Sequence, residues 1–222
     1  MTTSILLVDD QELLRVGFRM VLDSQADLEV VGEAADGVAA VARVAELEPE
    51  IVLMDVRMPS MDGVEATRRI VATGSPSRVI ILTTFDLDEY AYAALQAGAS
   101  GFLLKDAPPA DLLSAIRAVA SGDAVVAPST TRRLLEKVVR RLPPATDDRP
   151  PDPRHAELTP REREVLLAVA RGLSNAEVAD LLVLSEATVK SHVGRILSKL
   201  ELRDRVQIVV YAYERGLVQP RP

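Results

Sequence analysis

The chain has 222 residues, 48% hydrophobic and 27% charged, with a net charge of −7. That is apolar enough for a buried core, and long enough for one large domain or two small ones, which excludes global disorder. With no cysteine and only two histidines, His155 and His192, a disulfide scaffold, a thiolate zinc site and a cysteine nucleophile are excluded.

In chain order, the first apolar runs are Ile5–Val8, Leu28–Val31, Ile51–Met54, Val79–Leu82 and Phe102–Leu104. Amphipathic stretches near 11–24, 37–48, 63–72, 88–97 and 109–120 lie between and after them. Five strands alternating with five helices predict an α/β fold, a five-stranded parallel doubly wound sheet. A further helix is predicted near 129–142. Pro143 to Pro153, with five prolines and no periodicity, reads as a solvated linker. After it the strand pattern stops, and four helices are predicted near 160–171, 175–182, 186–200 and 205–215. The predicted organisation is residues 1–122, a connecting helix and linker over 123–156, and an all-α helix-turn-helix domain over 157–222. Charge follows this division. Residues 1–130 hold 20 acids and 9 bases, net −11, whereas residues 155–222 are net +1. Such asymmetry suits a chain of which only one end meets an anionic partner. No apolar run approaches the roughly 18 residues of a membrane span, and the first ten residues lack a signal peptide's pattern. A cytoplasmic protein without membrane contact is expected.

The residues after each apolar run carry the first chemistry. Asp9 and Asp10 follow the first, Asp55 the third, Thr83 closes the fourth and Lys105 follows the fifth. Ligands of open α/β sheets bind at the carboxyl ends of the strands, so the pattern gathers three carboxylates, a hydroxyl and an ammonium at one edge. Clustered carboxylates repel one another, and a hard cation such as Mg²⁺ relieves that while keeping sites for water and phosphate oxygens. A metal-bound carboxylate beside a lysine suits phosphoryl transfer, with an aspartate as nucleophile. Asp55, alone at a central strand end, is the predicted nucleophile. Asp and Thr also cap turns and helices, but that would have to recur at all four strand ends.

Asp9-Asp10, Asp55 with Met58-Pro59 and Met61-Asp62-Gly63 after it, Thr83 and Lys105 resemble the receiver domain of two-component response regulators, over roughly residues 3–122. The resemblance implies that a histidine kinase's phosphohistidine, or a small phosphodonor, phosphorylates Asp55. It implies Mg²⁺ held by Asp9, Asp10, Asp55 and the backbone carbonyl of Arg57. Lys105 would pair with a phosphoryl oxygen and Thr83 would hydrogen-bond another. Phe102 matches an aromatic switch position that turns inward as Thr83 moves; simple core packing is its other reading. One departure is Asp106 after Lys105, where many receivers have a cis-proline; a trans bond is expected, since a cis bond before a non-proline residue costs about 3 kcal/mol.

The last 65 residues carry a second pattern. Thr159, Pro160 and Glu162 form a helix start with a capping box, and Ser174 to Glu177 repeats it. Ser185 caps a third helix, on which Val189, Val193, Ile196, Leu197 and Leu200 form one apolar stripe. Its outward face carries Ala187, Thr188, Ser191, Gly194 and Arg195, flanked by Lys190. Small polar residues with scattered bases suit a helix entering the major groove, though an amphipathic helix with a solvated face has the same pattern. The segments from Leu158, Gly172 and Ser185 are similar to the LuxR-type DNA-binding domain over roughly 156–218. With the receiver, the chain resembles NarL/FixJ-type transcriptional regulators. The family's matched positions place Lys190, Ser191 and Gly194 toward the groove, with Thr188, His192 and Arg195 nearer the backbone. His192 can equally serve helix packing. Gly194 departs from the polar or basic residue often found there, and costs about 1 kcal/mol relative to alanine in a helix. Either the backbone approaches DNA closely or that base is not read. On the fourth helix Val206, Val209, Val210 and Tyr213 recur at helical spacing. Some of them must pack on the module, and the resemblance implies that the rest pairs two modules.

The function expected is a response regulator that is not itself an enzyme. Phosphorylation of Asp55 would gate homodimerisation and binding to inverted-repeat promoter DNA. Its partners would be a sensor histidine kinase, double-stranded DNA and, as a further candidate, RNA polymerase. The alternative is a DNA-binding regulator controlled by a partner or ligand without phosphorylation. A phosphotransfer enzyme is disfavoured by the absence of a GxxxxGK[ST] loop.

Overall fold

The computed structural model describes residues 2–84, 88–121 and 152–218. The chain divides into two units, Met1–Ser121 and Gly122–Pro222. The predicted helix near 129–142 and most of the proline-rich linker lie outside the described residues.

The first unit alternates β1 (Thr3–Val8), α1 (Glu12–Asp23), β2 (Leu28–Ala34), α2 (Gly37–Leu47), β3 (Ile51–Asp55), α3 (Gly63–Ala72), β4 (Arg78–Thr83), α4 (Asp88–Gln96), β5 (Gly101–Leu104) and α5 (Pro109–Ala120). All pairings are parallel, in the order β2-β1-β3-β4-β5. β1, β3 and β4 are apolar on both faces because helices cover both sides. Ile51 to Met54 and Val79 to Ile81 are wholly buried. Each such side chain contributes roughly 1.5–3 kcal/mol by leaving water. The carboxylate of Asp36 accepts from the Ala39 N–H at the start of α2, and that of Asp62 from the Glu65 N–H at the start of α3. At the far end of the sheet, Arg78 opens β4, and its guanidinium donates to the carbonyls of Val119 (2.9 Å) and Ala120 (3.0 Å), the last of α5.

The second unit is helical: α6 (Pro153–Ala156), α7 (Pro160–Ala170), α8 (Asn175–Leu182), α9 (Glu186–Leu200) and α10 (Arg205–Glu214). Both expected capping boxes form, Thr159 with Glu162 and Ser174 with Glu177, and Ser185 caps α9. Glu162 is buried, and Lys199 Nζ meets it at 2.7 Å while also donating to the Glu157 carbonyl. α8 ends in Val183, a β-branched residue at φ 53° and 90% exposed. That left-handed turn costs about 1 kcal/mol more for valine than for glycine.

α6 corrects the expectation of a solvated linker through Pro153. The proline-rich composition concealed an N-cap followed by proline in the first turn. Asp152 is buried and accepts from the Arg154 N–H, while the Arg154 (2.8 Å) and Arg215 (3.3 Å) guanidiniums pair with its carboxylate. Arg154 also donates to the Leu200 carbonyl, tying the incoming chain to the end of α9. Hydrogen bonds from Arg154 outweigh burial and hold the Asp152 carboxyl down at about 2. A depressed carboxylate stabilises the fold fully above its ordinary value of 3.8 and loses that effect as pH falls toward 2. Asp152→Asn should therefore melt below wild type at pH 5 and converge with it as pH approaches 2, measured by circular dichroism across that range.

Candidate functional site

The sheet register builds the first site. Val8 pairs with Met54, Asp55 with Leu82 and Thr83 with Leu104. The strand ends are therefore level, and the residues at or just after them converge. Asp9, Asp10 and Asp55 bring carboxylate oxygens within 4.8 Å of one another. Asp9 and Asp55 are buried, and Asp10 is exposed. Lys105 Nζ lies 2.7 Å from Asp9 Oδ2 and 2.9 Å from Asp55 Oδ2, with its side chain only 8% exposed. One ammonium thus reaches from the end of β5 past β4 to bridge the carboxylates at the ends of β1 and β3. Its own N–H donates to the Thr83 carbonyl at 2.7 Å, which fixes the lysine's base on β4.

The electrostatics follow from this crowding. Burial pushes Asp55 above the usual carboxylate range, and repulsion from Asp9 adds to it. The Lys105 hydrogen bond and charge offset only part. Burial works against the Lys105 cation, but hydrogen bonds to Asp9 and Asp55 outweigh it and raise its pKa. This three-carboxylate set of hard oxygen donors beside a charge-neutralising lysine fits a hard divalent cation such as Mg²⁺.

Thr83 is buried, and its hydroxyl donates to the Thr84 carbonyl at 3.2 Å. Phe102, expected to turn inward on switching, is already inward here, 5% exposed. Arg57 lies two residues past Asp55, and its guanidinium sits 5.2 Å from the centre of the Tyr90 ring on α4. The described peptide bonds are all trans, including Lys105–Asp106. One contributor had no sequence signal. Arg15 on α1 donates to the Asp9 main-chain carbonyl at 2.7 Å and is itself held by Glu33 at 3.0 Å. It clasps the turn that presents the two acids. A lone arginine on an amphipathic helix reads as a solvated charge.

In the helical unit, α8 and α9 with the short turn between them form a helix-turn-helix. Val189, Val193, Ile196 and Leu200 are buried as predicted, and Leu197 is half-buried. Ala187, Lys190, Ser191, Gly194 and Arg195 are exposed on the opposite side. Thr188 is half-buried, with its hydroxyl 2.8 Å from that of Ser185 in the cap. His192 is half-buried with Nδ1 turned inside, so packing claims one of its two nitrogens. Arg205 also escaped sequence reasoning. A cation at a helix start opposes the dipole, yet its buried guanidinium reaches back to Asn175 Oδ1 at 2.6 Å and to the Leu173 carbonyl. It bolts α10 to the turn before α8.

The fourth-helix expectation needs correction. Val206, Val209 and Val210 are 3%, 4% and 9% exposed in the single chain. α10 packs against α7, so these valines fill the unit's own core and offer little to a second copy. Tyr213 alone of the four is half-buried.

An acid cluster with a bridging lysine at the carboxyl edge of a doubly wound sheet, followed by a helix-turn-helix unit, defines a signal-receiving DNA-binding regulator. Residues 5–117 match the response regulator receiver domain, and residues 156–212 match the bacterial regulatory proteins of the luxR family. The chain is 42% identical over 215 residues to an uncharacterized transcriptional regulatory protein, YxjL of Bacillus subtilis, covering 97% of each. It is 40% identical over 219 residues to the response regulator protein VraR of Staphylococcus aureus, covering 99% of this chain and 100% of VraR. Among solved structures, the response regulator ChrA of a heme-sensing two-component system is 35% identical, covering 98% of this chain and 99% of ChrA, with a TM-score of 0.52. The response regulator RcsB in complex with DNA is 26% identical, covering 96% of this chain and 99% of RcsB, with a TM-score of 0.57. The chain belongs to the two-component response regulators that join a receiver domain to a LuxR-type DNA-binding domain. It is thus a transcription regulator of that family. No described helix is long and apolar enough to cross a membrane.

Proposed function

We propose that this regulator is phosphorylated on Asp55 and that the phosphoryl group gates its binding to promoter DNA. The single observation that carries the reading is the bridging of Asp9 and Asp55 by Lys105. A nucleophilic carboxylate, a metal-binding partner and a cation for the transferred group already stand within contact of one another. Asp9, Asp10, Asp55 and the Arg57 carbonyl would hold Mg²⁺, which when bound neutralises charge on the transferring group. Asp55 Oδ attacks phosphorus, and the bond to the donor, the imidazole nitrogen of a kinase phosphohistidine or the oxygen of a small phosphodonor, breaks. Lys105 turns from the carboxylates toward a phosphoryl oxygen. The Thr83 hydroxyl exchanges the Thr84 carbonyl for another, which draws in the end of β4.

The added −1.5 to −2 charges act only by favouring one conformation over another. Residues 1–130, with net charge −11, repel DNA phosphates, so DNA contact falls to the helical unit. Thr188, Lys190, Ser191, Gly194 and Arg195 of α9 meet the groove and its backbone, with His192 through its outward edge. The 155–222 segment, net +1, binds weakly alone, so two copies on an inverted repeat bind better than one. Tyr213 is the α10 residue left to that contact.

The test is DNA retention at fixed salt, using fragments from the protein's own locus, with and without acetyl phosphate and Mg²⁺. Phosphodonor should tighten binding about tenfold or more, the size of a typical coupling. Equal binding in both conditions would support control by a partner or ligand instead.

A further inference from the structure

Arg57 stands in the loop between Asp55 and α3, and its main-chain N–H helps hold the Asp55 carboxyl down. Every other arginine of the described receiver has a firm acceptor. Arg15, Arg19, Arg43, Arg68, Arg69 and Arg117 pair with carboxylates, and Arg78 with the carbonyls that end α5. Among the described residues Arg57 has neither. Asp9 and Asp55 are taken by Lys105. The exposed Arg57 guanidinium lies instead 5.2 Å from the centre of the exposed Tyr90 ring. In the helical unit Arg215 also sits over a ring, that of Tyr211 at 5.8 Å, but it meets the Asp152 carboxylate as well. A cation that rests on a π face alone is held weakly, by about two- to fivefold at an exposed site.

We propose that Arg57 is a phosphoryl-sensing residue, parked on Tyr90 while Asp55 is free and drawn to the phosphoryl group once Asp55 carries one, which releases the start of α4. This rests on the reading of Asp55 as the acceptor. A phosphoryl group brings negative charge and three strong acceptor oxygens, more capacity than Lys105 and the Thr83 hydroxyl consume. A charge-assisted hydrogen bond to it is worth about ten- to a hundredfold, so the phosphoryl group outcompetes the ring. Arg57 starts in the loop that Asp55 opens, and rotation of its long side chain makes the exchange without moving β3. The second half of α4 is anchored by buried Ala94 and Leu95, and the helix packs against α3. The Arg57–Tyr90 contact ties its first half to the acceptor loop. Loss of that tie reports phosphorylation through a side chain, by a route separate from Thr83.

The experiment follows the Tyr90 ring by fluorine NMR in the full chain labelled with 3-fluorotyrosine, which has four tyrosines. The Tyr90 signal is the one missing from Tyr90→Phe. Wild type and Arg57→Gln are recorded with Mg²⁺, before and after acetyl phosphate, and phosphate-affinity gels report the uptake of phosphate. In wild type the Tyr90 signal should shift on phosphorylation. In Arg57→Gln it should lie near the phosphorylated wild-type position from the start, and acetyl phosphate should move it several-fold less. A wild-type signal that stays in place while the gel shows phosphorylation would overturn the inference. So would an untreated Arg57→Gln signal at the untreated wild-type position, or a shift in that variant as large as in wild type. Wild type that takes up no phosphate would overturn the acceptor reading itself, and the inference with it.

Discussion

Asp55→Asn is expected to abolish phosphorylation by acetyl phosphate while raising the melting midpoint of the receiver. The two effects share one cause. Burial and the nearby Asp9 push the Asp55 carboxyl above its ordinary value. For a group raised in the fold, the stabilising contribution is complete below the ordinary carboxylate value and is lost as pH rises through the folded value. At neutral pH the ionised Asp55 therefore opposes folding, and an uncharged amide of the same shape removes that opposition. Lys105 keeps Asp9 as its partner. Mg²⁺ should raise the wild-type midpoint more than the variant's, because the variant has lost one of three carboxylates. Phosphate-affinity gel shifts and melts with and without Mg²⁺ measure all three. A shifted band in the variant would remove Asp55 from the role of acceptor.

Gly63→Ala should be the most damaging small substitution in the receiver. A Cβ at Gly63 would lie 2.0 Å from the Asp55 carbonyl oxygen and 2.9 Å from its carbon. Those atoms have nowhere to go, since β3 is paired on both sides by β1 and β4. The Gly63 N–H also donates to the Val56 carbonyl at 2.9 Å, closing the loop between Asp55 and α3. Relieving the clash must tilt α3 or displace Asp55. Overpacking against backbone costs about 3 kcal/mol or more. A displacement near 1 Å at the nucleophile slows phosphoryl transfer about 100-fold. Urea unfolding reads the first effect and the rate of phosphorylation by acetyl phosphate the second. A variant with wild-type values in both would mean the helix start moves freely, independent of the site.

Much of this architecture was legible in the residues. Apolar runs buried on both faces announced β3 and β4, and the acids beyond them announced the edge where the site lies, because strand ends are fixed by where apolar content stops. Thr159 with Glu162 and Ser174 with Glu177 announced helix starts through hydrogen bonds local in sequence. What stayed hidden was made by distance. Arg15 clasps the Asp9 carbonyl, Arg205 reaches 30 residues back to Asn175, and Asp152 is held by Arg215, 63 residues on. Arginines of this kind look like any solvated charge until the fold brings an acceptor to them. The valines of α10 mark a further limit. An apolar helical stripe says that something covers it, and here the covering element is α7 of the same chain.

β4 has a consequence that reaches past the acid cluster. Its last residue, Thr83, stands at the acceptor edge, and its first, Arg78, grips the final carbonyls of α5, where the chain leaves toward the linker. Six residues of paired strand span about 17 Å, a stiff strut with the acid cluster at one end and the exit of α5 at the other. Thr83 and the grip of Arg78 on the last turn of α5 thus lie on one continuous strand, held in register on both sides by β3 and β5, with no loop between them.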